Sequence, residues 1–108
     1  MTMQMDEAAQ VFLCAAAEAP PNSSTLVQFE GEDYALFNTG EAYFAVTNRC
    51  PHEGAPLIGC PVFKGSAVVC IMHGWRIPLA PRADGRAHSD GLKRLTVVER
   101  DGRLYAAA

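Results

Sequence analysis

Arg49–Leu57 reads RCPHEGAPL, and Val68–Arg76 reads VVCIMHGWR. Each stretch sets one cysteine beside one histidine, in a chain with only four cysteines and three histidines. As a pattern this is Cys50-x-His52, seventeen residues, then Cys70-x-x-His73. Paired ligands so close in sequence must point into one small volume. Two such loops supply two thiolates and two imidazoles, a donor set that can hold a metal centre. Pro51 and Pro56 stiffen the first loop, and Gly54 and Gly74 each stand within two residues of a histidine. Glycine there permits positive φ and lets backbone amides approach a bound group.

Around these loops the chain reads as short strands separated by turn residues. QVFLC (10–14) is followed by AAAEAPPNSS, a proline-bearing loop whose alanines allow one helical turn. TLVQF (25–29), YALFN (34–38) and AYFAVTN (42–48) follow with GED and TG as turns, the pattern of an antiparallel meander. VFKGSAVVC reads as a hairpin turning at Lys64-Gly65, and the second Cys/His loop opens from its far end. GWRIPL is a short strand that Pro78 keeps off a central ladder position. The chain ends on LKRLTVVER, an Asp101-Gly102 turn and RLYA, the clearest hairpin signal present. The expected class is all-β, with the chemistry on loops.

Two centres suit the donors. A structural zinc ion accepts two cysteines and two histidines in a tetrahedron, but its paired ligands usually leave two to four residues between them. Cys50 and His52 leave one. A [2Fe–2S] cluster in which one iron takes both thiolates and the other both imidazoles explains directly why each loop carries one of each.

With Gly-x-Pro-Leu after the first pair and Gly-Trp after the second, the pattern resembles the Rieske iron–sulfur family. The likeness extends through ALFNTGEAYFAVTNRCPHEGAPL to the closing DGRLY, about residues 10 to 106. It implies one Rieske [2Fe–2S] domain over 10–106: antiparallel sheets, with a small cluster-binding subdomain at about 47–82 inserted in a β-sandwich-like base. It assigns Cys50, His52, Cys70 and His73 as the ligands of both irons, with Gly54, Gly74 and Trp75 around them. Trp75 is expected beneath the second loop as a core aromatic. Members of high potential resemble C-x-H-x-G-C and C-x-C-H, with the extra cysteines joined as a disulfide and a serine after the second Gly. Here Ala55, Met72 and Trp75 stand at those places, so the resemblance implies a lower-potential centre. Relatives also shield the cluster with a proline-bearing loop, whereas this chain has no proline after Pro81, which leaves the shape of the segment near 82–92 open.

Composition bounds the rest. A chain of 108 residues, 49% apolar, suits one soluble domain, and no apolar run approaches a membrane span. The net charge of −3 argues against general nucleic-acid affinity. Residues 1–9 are expected to be a short lead without signal-peptide features, which puts the chain in the cytoplasm. Cys14 and Cys60 are expected as buried or half-buried thiols and His88 as an exposed side chain. Arg76, Arg82, Arg86, Lys93, Arg94, Arg100 and Arg103 follow the second loop and are either a solvated surface or an aid to orienting a charged partner. No Ser/His/Asp set, catalytic carboxylate pair or phosphate loop is present, so the expected function is electron transfer rather than catalysis. The first reading is a soluble ferredoxin between a flavin reductase and a terminal oxygenase. The second is the small subunit of an assimilatory NAD(P)H nitrite reductase, working with its large subunit, because CPHEGAPL and HGWR are more similar to that group. The third is a zinc-stabilised interaction module.

Overall fold

The structure, a computed structural model, describes residues 10–50, 54–63, 67–70, 74, 76–80 and 91–107. Among the described residues, nine strands run in chain order: β1 Gln10–Ala15, β2 Ser23–Phe29, β3 Glu32–Asn38, β4 Tyr43–Thr47, β5 Val62–Phe63, β6 Ala67–Val69, β7 Arg76–Pro78, β8 Arg94–Arg100 and β9 Arg103–Ala107. A 3₁₀ turn at Ala16–Glu18 is where the alanines allowed one.

All pairings are antiparallel. Six strands form the base in the order β1-β9-β8-β4-β3-β2, and β5-β6-β7 form a second sheet inside the expected subdomain. The base curls until its two edge strands, β1 and β2, come into contact, which makes it sandwich-like. A bulge in β1 assists the curl: Phe12 faces Tyr105 and Cys14 faces Leu104, leaving Leu13 without an opposite residue.

The turn chemistry explains the register. Glu30-Gly31 joins β2 to β3 and Asp101-Gly102 joins β8 to β9, both with two successive positive φ values (52° and 79°; 54° and 75°). Such pairs match the right-handed twist of the flanking strands. The first turn lies one residue earlier than the GED reading, because Glu32 already pairs with Phe29. Pro78 lies on β7, an edge strand, as its missing N–H requires. The Lys64-Gly65 turn lies outside the described residues.

Strand β3 decides the layering. Residues Tyr34 to Asn38 are all buried, a continuous run rather than an alternation. Tyr34 and Leu36 enter a core closed by the curl, with Cys14, Val27, Phe29, Ala45, Leu104 and Ala106. Ala35 and Phe37, with Val46 of β4, enter a second core on the other face, shared with Leu57, Val68, Ile77, Leu79 and Leu92. A sheet covered on both faces needs apolar side chains on both. The second sheet is the cover of that outer face.

Candidate metal centre

Cys50 and Cys70 both lie in this second core, each only 1% exposed. Cys50 follows β4 and Cys70 follows β6, so the base delivers one and the small sheet the other. The two cysteines head turns of the same kind. Gly54 N–H donates to the Cys50 carbonyl at 2.7 Å, and Gly74 N–H donates to the Cys70 carbonyl at 2.7 Å. Each is a single turn closed between residues four apart. Gly54 and Gly74 have φ of 78° and 72°, the left-handed region that favours glycine. Space is not what selects them. A Cβ on Gly74 would meet nothing within 4 Å, and one on Gly54 only the Arg49 side chain at 3.8 Å.

The glycines close the two turns that the cysteines open. Their own N–H groups are taken by the cysteine carbonyls, and their positive φ closes the turns. Cys50 N–H donates to the Ala55 carbonyl at 2.6 Å and closes the first loop a second time. His52, Met72, His73, Trp75 and His88 lie outside the described residues, as does the segment 81–90; of the remainder of 82–92, Leu92 is buried in the second core.

The other thiols divide between the cores. Cys14 is on the far side of the base sheet, and burial, with a smaller contribution from Glu18, pushes its thiol above the ordinary range. Cys60 shares the core of Cys50 and Cys70, and its Sγ donates to the Pro56 carbonyl at 3.7 Å. Both are buried, as expected. The described residues include all four cysteines, and no disulfide joins any of them.

Two supports escaped the sequence reading. Asn48 reads there as the end of a strand, but β4 stops at Thr47. Asn48 Oδ1 instead accepts the N–H groups of Leu57 and Ile58, both at 2.8 Å, and ties down the chain beyond the first loop. Thr47 closes the neck of the excursion. Its N–H donates to the Lys93 carbonyl at 3.0 Å, and its hydroxyl accepts Lys93 N–H at 2.9 Å, across 46 positions of sequence. The only hint available was an asparagine beside a loop, a residue type that often bonds nearby backbone.

Two buried, equivalently held sulfur donors in one core fit an iron–sulfur group, since thiolates are its protein anchors and a dry surround limits solvent access. The comparisons agree. The Rieske [2Fe-2S] domain model matches residues 9–99. The 3-phenylpropionate/cinnamic acid dioxygenase ferredoxin subunit of Photorhabdus laumondii is 31% identical over 97 residues, 89% of this chain and 91% of that one. The methanesulfonate monooxygenase ferredoxin subunit of Methylosulfonomonas methylovora is 30% identical over 95 residues, 88% of this chain and 77% of that one. Among solved structures, the ferredoxin of carbazole 1,9a-dioxygenase from Nocardioides aromaticivorans superposes with a TM-score of 0.75 at 20% identity, covering 92% of this chain and 97% of that one. A protein described as a nitrite reductase NADPH small subunit gives 0.74 at 23% identity, covering 92% and 98%. These two likenesses show the fold alone. Between zinc and iron–sulfur, the family match favours the second. The buried cysteine pair, its twin glycine-closed turns and the match over most of its length make this chain a member of the Rieske [2Fe-2S] domain family.

Proposed function

We propose that this chain is a Rieske-type ferredoxin that takes single electrons from a flavin reductase and passes them to a terminal oxygenase. The observation that carries the reading is the meeting of Cys50 and Cys70 in one buried core at the heads of two equivalent turns. In this reading the domain is 10–106 with its cluster-binding part at about 47–82. Cys50 and Cys70 bind one iron as thiolates, and His52 and His73 bind the other as neutral imidazoles. The bound group supplies reversible one-electron chemistry. The protein's own work is to hold two thiolates in a dry core, Cys50 on the base and Cys70 on the small sheet. With every iron position filled by Cys, His and sulfide, no site is left for a substrate on the metal.

The relatives at 30% identity or more are ferredoxin subunits of oxygenase systems, which supports the oxygenase partner. A nitrite reductase large subunit is the second reading, favoured by CPHEGAPL and HGWR. Among the described residues no helix is long and apolar enough to cross a membrane. Residues Ala55 and Met72 in place of a disulfide favour the lower part of the family range of about −150 to +300 mV.

Iron and acid-labile sulfide analysis, with a visible spectrum that bleaches on dithionite, tests the centre. Bound zinc without sulfide would sink the reading. His52→Ala or His73→Ala is expected to abolish the mixed-ligand spectrum, while Cys14→Ser, Cys60→Ser and His88→Ala leave it; loss of the spectrum in His88→Ala would contradict the ligand set. Film voltammetry is expected to give a midpoint below zero at neutral pH, and a value well above zero would refute the low-potential assignment. Co-purification with a reductase and oxygenase, or with a nitrite reductase large subunit, separates the two partner readings.

A further inference from the structure

Arg94, the first residue of β8, reaches out of the base to the small sheet. Its Nε and Nη2 both donate to the Pro78 carbonyl, at 2.9 and 2.7 Å, and its Nη1 donates to the Leu92 carbonyl at 3.3 Å. Its backbone is fixed in turn, because Arg94 stands opposite Val46 in the base. Pro78 ends β7, an edge strand whose register sets Ala67 against Pro78, Val68 against Ile77 and Val69 against Arg76. Cys70 follows Val69 directly. The guanidinium thus holds the end of the strand that aligns β6, and β6 delivers Cys70. Val68, Ile77 and Leu79 are all at most 2% exposed, so this small sheet is packed tightly against the base.

The chain to Cys50 is braced separately. Asn48 ties Leu57 and Ile58, and Ser24 Oγ accepts the Gly59 N–H at 2.7 Å, so the first loop is fastened to the base without Arg94. The distance between the two sulfur donors therefore depends on how the small sheet is seated.

We propose that Arg94 is a positioning residue of the cluster site: its fork, clamped on Pro78 and Leu92, seats the Cys70-bearing sheet against the base and so governs how tightly the cluster is held. This rests on the ligand reading above. A lysine is a point donor on a flexible stem and cannot reproduce three N–H bonds from one planar group.

The test compares Arg94→Met and Arg94→Lys with the unaltered holoprotein and with Lys93→Met, which breaks only the exposed Lys93–Glu32 ion pair next door. Cluster loss is followed by bleaching of the visible bands at low temperature with a ferrous chelator present. The midpoint potential and the electron paramagnetic resonance line of the reduced protein are recorded on the same samples. Both Arg94 variants are expected to lose cluster about tenfold faster, the scale typical of residues that orient metal ligands, and to show a displaced resonance line and midpoint; Lys93→Met stays as the unaltered protein. Wild-type cluster lifetime, resonance and potential in Arg94→Met would overturn the proposal, even with a lowered melting temperature. A wild-type Arg94→Lys beside an impaired Arg94→Met would also overturn it, because charge rather than the fork would then suffice. If Arg94→Met fails to fold, Arg94→Lys decides. Absence of iron and sulfide from the unaltered protein would instead sink the ligand reading and this inference with it.

Discussion

Gly74 is a residue whose replacement separates conformation from space. Nothing occupies the position a Cβ would take, yet its φ of 72° is one that an L side chain pays strain to adopt. Gly74→Ala is expected to cost about 1–2 kcal/mol, the left-handed penalty, in chemical denaturation. The iron content per chain should fall with it, because the turn it closes begins at Cys70. An unchanged denaturation midpoint would show that the turn relaxes freely. The burial of Cys50 and Cys70 in one core and the positive φ of Gly54 and Gly74 accord with the reading of the two loops, because metal chemistry and left-handed backbone each restrict residue type. Asn48 and Arg94 were not legible in the sequence. Their contacts are with backbone groups far along the chain, Leu57 N–H for one and the Pro78 carbonyl for the other, and residue type alone does not encode that.

Strand β3 shows what can and cannot be read at the scale of an element. The run YALFN was legible as a strand, and the Asp101-Gly102 hairpin was legible from its turn alone. The burial of both faces of β3 was not deduced, because an unbroken apolar run does not say what covers it. The structure answers with two cores, Tyr34 and Leu36 in one and Ala35 and Phe37 in the other. Phe37 is 1% exposed and shares its core with both cysteines. Phe37→Ala is expected to destabilise the protein by about 3–5 kcal/mol and to speed cluster loss. Leu26→Ser, at a side chain 48% exposed on β2, should stay within about 0.5 kcal/mol. Urea denaturation of the two variants checks the contrast, and equal losses would show that Phe37 is not a support of the second core.

Among the described residues, four groups shift in the same direction with pH. Burial weakens the acidities of Cys14, Tyr34 and Tyr43 by raising their pKa values, with further contributions in the same direction from Glu18, Glu32 and Glu99 respectively. Lys93 is raised by its hydrogen bond to Glu32, although this exposed pair is screened by solvent. In every case the folded state holds its proton more tightly than the unfolded chain, so this stabilisation is complete below the ordinary values and fades as pH rises above about 9. The urea midpoint is expected to fall between pH 8 and pH 10.5, and a flat or rising midpoint would contradict the assignment. At this scale the antiparallel all-β class was legible from strand and turn signals, whereas the bulge at Leu13 that assists the curl of the base leaves no mark in composition. The neck at Thr47 and Lys93 carries one more consequence. The stretch between Thr47 and Lys93 leaves and re-enters the base through residues that are hydrogen-bonded to each other, so insertions or deletions within it leave both ends where the base needs them. Such a stretch can vary in length between relatives, or be exchanged as a cassette, while the strand order that receives it stays the same.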